Sequence, residues 1–248
     1  MQWDFLWVWV LVLAALFYSH RSGLGLEKPL LIASLTAFAQ LLALGYALYY
    51  LFALSHPLVF LAVFVFMVGF GAYTARKRAP LGRGDFWVAF GALGAASTAV
   101  AAVLLLTGVI RPVAHQLIPL LGMIVGNSLN VYTLAVERVV AQIRQNRLQV
   151  EGRLALGANT RQALQDEMQA AAKAGLMPVM NNLQTVGIIW IPGITVGMLL
   201  VGADPLTAVS YQLAIMYMMV GVALFTTLFG FAFARNRLIP AAFKNEHT

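Results

Sequence analysis

The chain has 248 residues, 61% of them hydrophobic and 10% charged, with 16 Lys and Arg against 9 Asp and Glu. A soluble globule is about 45 to 50% apolar and about 25% charged, so this composition excludes one and marks an integral membrane protein. Cysteine is absent, which removes disulfides, thiolate metal sites and a cysteine nucleophile; the formal charge of +7 lies in loops on one side, not in a nucleic-acid patch.

Apolar runs of about 17 to 25 residues read as helical spans, and about seven occur. The first, 4 to 20, is short and rich in Trp3, Trp7 and Trp9, with Asp4 where a signal peptide would carry a cation. Arg21 follows it, which suits a helix whose N-terminus stays outside rather than a cleaved signal. Spans two to four, at 30 to 54, 57 to 75 and 86 to 109, read as scaffold, and Gly91, Ala95 and Ala99 give the fourth a small-residue face for close contact. The fifth (115 to 137) and sixth (176 to 202) each carry a GxxxG pattern, Gly122/Gly126 and Gly193/Gly197, which serves packing within the chain or between two copies. Pro192 precedes Gly193 near mid-membrane and predicts a kink or break. The seventh span is 207 to 234.

Alternating these spans across the bilayer collects every Lys and Arg except Arg111 on one side. The positive-inside rule makes that side cytoplasmic, with the N-terminus outside and the C-terminus inside. The whole of 1–248 reads as one transmembrane permease domain.

Between the fifth and sixth spans lies a polar cytoplasmic stretch, 138–175, carrying Arg138, Arg144, Arg147, Arg153, Arg161 and Lys173. Helical apolar spacing continues from the fifth span through Val139, Val140, Ile143, Leu148, Val150 and Leu154. Gly157 is placed to cap that helix, and Asn159 with Gln162 has the form of a capping box opening a second helix over 160 to 174. Gly175 is expected to stop it. The product is a helical hairpin projecting into the cytoplasm with its knuckle at 157 to 160.

Several chemistries fail for want of residues. No Gly-Lys pair occurs, so the chain holds no P-loop and does not itself hydrolyse ATP by that route. The last span has no lysine for a retinal Schiff base, and His20, His56, His115 and His247 are too scattered for a shared metal site. Intramembrane carboxylates mark ion-coupled pumps, and here only Glu137, at the inner edge, comes close. Energy must then come from a partner, or the protein is passive.

Polar residues that do enter the lipid cluster on two faces. Met123, Asn127, Asn130 and Glu137 share one face of the fifth span; Met177, Asn181 and Gln184 share one of the sixth. Asn130 and Gln184 fall at comparable depth. These amides either bond between helices, worth about 0.6 to 2 kcal/mol per contact, or line a polar substrate path. Met216 and Met219 share a face of the last span with Gln212, and their thioethers either fill gaps or bind soft metal ions.

The stretches GMIVGNSLN (122–130), LAVERV (134–139), EGRLALGANTRQA (151–163) and the run from LMPVMNNLQTVG onward (176–218) resemble, in this order, the FetB-type membrane subunits of iron-exporting ABC transporters, a family that includes plant aluminium-tolerance permeases. The resemblance implies a permease, not an enzyme, that binds no cofactor of its own and pairs, as a homodimer in the bacterial cytoplasmic (inner) membrane, with a separate ABC ATPase carrying ATP and Mg. It implies export of iron or another metal ion, with the metal ligands unknown. The knuckle also resembles the EAA loop of ABC importers: Glu151 and Gly157 keep the spacing, while Gly152 and Arg153 replace two alanines. Glu151, Leu156, Gly157, Ala158 and Arg161 are the expected ATPase contacts. The alternatives are a stand-alone ion channel or secondary transporter, or an ABC permease for a non-metal solute.

Overall fold

In lipid every backbone amide must be satisfied within the protein, and a helix does this without a partner strand. The computed structural model describes residues 7–53, 56–79, 81–82 and 85–243; Trp3, Asp4, Arg83, Lys244 and His247 lie outside the described residues. Among the described residues the secondary structure is helical with no strand, and the chain divides into two compact units, 1–55 and 56–248.

The first unit is a pair of helices, α1 (Trp9–Arg21) and α2 (Glu27–Ala53), joined by a turn in which Gly23 and Gly25 take positive φ. Ser19 ties the turn, donating to Glu27 Oε1 at 3.1 Å and accepting from the Leu26 amide at 3.3 Å. Trp9 meets Phe38 edge to face, which braces the pair further along.

The second unit comprises α3 (Pro57–Arg78), α4 (Asp85–Leu106), α5 (Ala114–Gln145), α6 (Arg147–Ala155), α7 (Thr160–Ala163), α8 (Gln165–Thr185), α9 (Gly193–Leu200) and α10 (Pro205–Phe243). Its core forms where α5 and α10 pack together and against α4, with α3 and α8 alongside. Small residues make this close approach possible: Ala72, Ala75, Ala92, Ala96 and Ala234 are fully buried. The close-packed face of α4 is thus Ala92 and Ala96, while Gly91, Ala95 and Ala99 are half-buried. Arg76 reaches Asp85 at 3.5 Å and joins the end of α3 to the start of α4.

With 32 and 39 residues, α5 and α10 are about 48 and 58 Å long at 1.5 Å per residue. Both exceed a hydrocarbon core of about 30 Å, so each must project beyond it. Their projecting ends are bonded together. Arg144 donates to the carbonyls of Ala242 at 3.0 Å and Ala241 at 3.4 Å, and the Arg147 guanidinium lies over the Phe243 ring.

Five described helices are long and apolar enough to cross a membrane: 27–52, α3, α4, α5 and α10. The two other expected spans differ. Described α1 has 13 residues, short of the usual length. The expected span at 176 to 202 is broken into α8 and α9, with an unwound segment between Thr185 and Gly193. Gly187 there takes φ 81°, its amide donates to the Trp190 carbonyl at 2.9 Å, and Pro192 opens α9 as its N-cap. The predicted break at Pro192 is therefore present, and it extends back one and a half turns.

Candidate functional site

The helical hairpin is built by four helices, α5 to α8, rather than two. Helical spacing past α5 holds, but the helix breaks at Asn146 before resuming as α6. Gly157 takes φ 89°; its amide donates to the Leu154 carbonyl and the Ala158 amide to that of Arg153, both at 3.0 Å. This is the Schellman pattern, in which a residue without Cβ relieves the left-handed turn. The capping box is also present, with Asn159 Oδ1 accepting from the Gln162 amide and Gln162 Oε1 from the Asn159 amide.

Gly175 does not stop the second helix, which runs as α8 through both Gly175 and Pro178 to Thr185. Its role is packing. A Cβ added there would lie 3.6 Å from Ala135 Cβ, so Gly175 marks the place where α8 lies directly on the α5 backbone.

A partly buried ion pair holds the hairpin shut. Arg153 donates from Nη1 to Glu167 Oε2 at 3.1 Å and to the Ala163 carbonyl at 2.9 Å, and from Nη2 to Asp166 at 2.7 Å. Glu167, only 1% exposed, also accepts from Asn146 Nδ2 at 3.3 Å. Val150, Ala163 and Leu164 are fully buried beneath the pair.

At the tip, Leu156 is 91% exposed and Gly157 and Arg161 are exposed, with Ala158 half-buried. Glu151 accepts from Arg147 at 2.8 Å along α6. Leu148, expected on the apolar face, is instead 84% exposed. The hairpin thus presents Leu148 and Leu156 bare on a braced frame.

Within the membrane region the antiparallel register set by Gly175 on Ala135 puts Asn130 level with about residue 180. Asn181 lies beside that depth and Gln184 about one turn beyond it. Asn130, Met177, Asn181 and Gln184 are exposed on α5 and α8, and Asn127, half-buried, donates to the Met123 carbonyl at 2.8 Å. Glu137 is exposed and lines a cavity of about 410 Å³ with Arg78, Gly82, Arg144 and Ala241. A second cavity, of about 400 Å³, has Met123, Asn182, Trp190, Gly193, Gln212, Met216 and Met219 in its walls. Of the expected path residues, the structure brings Met123 into this second cavity and Glu137 into the first, while the others stay on open helix faces. Asn182 lines the second cavity in place of its neighbour Asn181.

Polar residues missed by sequence reasoning sit deeper. Ser128 Oγ accepts from Thr226 at 3.1 Å and lies 3.3 Å from Ser97 Oγ, joining α4, α5 and α10 through three buried hydroxyls. Hydroxyls in apolar runs are too common to single out by pattern. Glu167 was passed over because nothing in its local sequence distinguishes a buried carboxylate from a solvated one.

A chain whose described residues are helical, without strands, and include five helices long and apolar enough to cross a bilayer, is a multi-pass integral membrane protein. It belongs to the uncharacterised protein family UPF0014, whose model matches residues 2–239. It is 31% identical to the probable iron export permease protein FetB of Escherichia coli (strain K12), over 88% of this chain and 85% of the relative. It is 34% identical to protein ALUMINUM SENSITIVE 3 of Arabidopsis thaliana, over 86% of this chain and 78% of the relative. The UPF0014 membrane protein YjkA of Bacillus subtilis (strain 168) is 33% identical over 84% and 83%. No solved structure matches the chain.

Proposed function

We propose that this chain is the membrane-spanning permease subunit of an ATP-binding cassette transporter that moves iron or another metal ion out of the bacterial cytoplasm across the inner membrane. Two copies span the bilayer, N-terminus outside, and a separate cytoplasmic ATPase hydrolyses ATP with Mg; the permease itself carries no enzymatic centre. The observation that carries the reading is the braced cytoplasmic hairpin with Leu156 bare at its tip. The Arg153–Glu167 pair, with its carboxylate sealed from solvent, stiffens the hairpin, and a lever must stay stiff under load.

The relative named a probable iron export permease supports the substrate class. Open helix faces support the homodimer. Gly126, Gly193 and Gly197 are exposed, with nothing within 4 Å of an added Cβ, so packing inside one copy does not account for them. Asn130, Asn181 and Gln184 lie on open faces too, where a second copy would enclose them as the polar path.

Metal-stimulated ATP hydrolysis by the permease and its ATPase in proteoliposomes tests the reading. Stimulation by Fe(II) that requires both chains is expected. Substrate movement through the permease alone, driven by a gradient, would refute it in favour of a channel or secondary transporter.

A further inference from the structure

We infer that the cavity lined by residues of α5, α8, α9, α10 and the unwound segment binds a soft monovalent cation of the Cu(I) or Ag(I) kind, held by the thioethers of Met123, Met216 and Met219 and the Gln212 carbonyl oxygen. As a site for cargo it rests on the permease reading above; as a binding site it stands on the cavity alone.

The first observation is the break. The backbone between Thr185 and Gly193 is unwound, and its residues Trp190 and Pro192 form part of the cavity wall. Irregular backbone persists at membrane depth where it is buried in protein or lines a cavity, and discontinuous helices recur at transporter binding sites.

The second observation is chemical. Gln212 is 6% exposed, lines the same cavity, and its Oε1 has no hydrogen-bond partner among the described residues. A buried acceptor without a donor is costly, and a cation relieves it. An acyl chain filling the same space would leave it unmet.

The donor set then selects the ion. Met216 and Met219, one turn apart on α10, face the cavity together, and Met123 joins them from α5. Thioethers favour Cu(I)-like ions, whereas hard divalent ions seek carboxylate oxygens. No Asp, Glu, His, Lys or Arg lines this cavity. Two positive charges would lack any compensation in such a wall, while one charge on a polarizable ion costs least. At about 400 Å³ the cavity is larger than a bare ion, and the flexible methionine side chains supply the closure.

Ag(I), a redox-inert probe, tests this on the purified full-length chain in detergent, by equilibrium dialysis and sulfur-edge X-ray absorption. One Ag(I) per chain with a thioether signature is expected. The triple variant Met123→Leu, Met216→Leu and Met219→Leu conserves volume and should weaken binding at least a hundredfold, while Met67→Leu, outside the cavity, should not change it. Circular dichroism and a monodisperse elution profile establish that the triple variant is folded; should it not be, the Gln212→Leu and Met216→Leu single variants, each expected to lose tenfold or more, replace it. Absence of Ag(I) binding, unchanged binding in the folded variants, or a co-purifying lipid lost with the same substitutions overturns the site. The measurement uses no ATPase, so the outcomes separate: Ag(I) binding without ATP-coupled transport leaves the site and removes the permease role, and coupling without Ag(I) binding does the reverse.

Discussion

Arg153 and Glu167 meet across the helical hairpin at 3.1 Å, and the carboxylate is sealed from solvent while the guanidinium is about one-third exposed. The pair fixes α6 to the start of α8 through one side chain that also holds Asp166 and the Ala163 carbonyl. Replacing Glu167 with Ala therefore removes charge-assisted bonds worth about 1.5 to 3 kcal/mol each before relaxation. The hairpin should loosen while the membrane helices persist. Hydrogen exchange over 160–170 should accelerate, with circular dichroism of the detergent-solubilised protein nearly unchanged; equal protection in the variant would show that the pair contributes no stiffness.

Leu156 offers the opposite dissociation. At 91% exposure it contributes little to folding, so Leu156→Asp should alter stability by no more than about 0.5 kcal/mol. Under the proposed function its effect belongs to docking. Co-purification with the proposed ATPase partner should fall at least tenfold, and retention at the wild-type level would remove the knuckle from the interface.

Gly157 joins the two effects. Its φ of 89° is a conformation that costs an L-residue about 1 to 2 kcal/mol, and a β-branched side chain more than Ala. Gly157→Val should therefore destabilise the turn more than Gly157→Ala and reduce ATPase association in the same order, as measured by quantitative pull-down against thermal unfolding.

Much of this hairpin is legible in the sequence because its signals are local. Gly157, Asn159 and Gln162 announce a cap and a capping box within six residues, and both are present. The apolar spans are legible for the same reason, since lipid imposes one length and one backbone solution. Gly175 shows where that reasoning ends. Taken as a helix stop, it is a packing contact with Ala135, forty residues away in sequence, and only tertiary structure reveals such a neighbour. The candidate path was half legible for a related reason. Helical spacing placed Met123, Asn127 and Asn130 on one face of α5, but the position of the break in the next helix decides which side chains reach the cavity. At that break Asn182 and Trp190 come to the cavity wall.

Two of the glycine contacts of the second unit, at Gly175 and Gly230, should respond to alanine with opposite signs. At Gly175 an added Cβ meets Ala135 at 3.6 Å, an ordinary contact, whereas at Gly230 it meets the Tyr132 ring at 3.2 Å and 3.5 Å. Alanine gains about 1 kcal/mol of helix propensity over glycine at either site. At Gly175 nothing opposes that gain, so Gly175→Ala should be neutral or stabilising, and Gly175→Leu, which drives further atoms into α5, strongly destabilising. At Gly230 the ring must give way. Tyr132 is 1% exposed in the core between α5 and α10, with no space to move into without displacing neighbours, and overpacking of this kind costs about 1 to 3 kcal/mol. The cost exceeds the propensity gain, so Gly230→Ala should lower the thermal midpoint in detergent by several degrees; an unchanged or raised midpoint would show that the Tyr132 ring is free to shift.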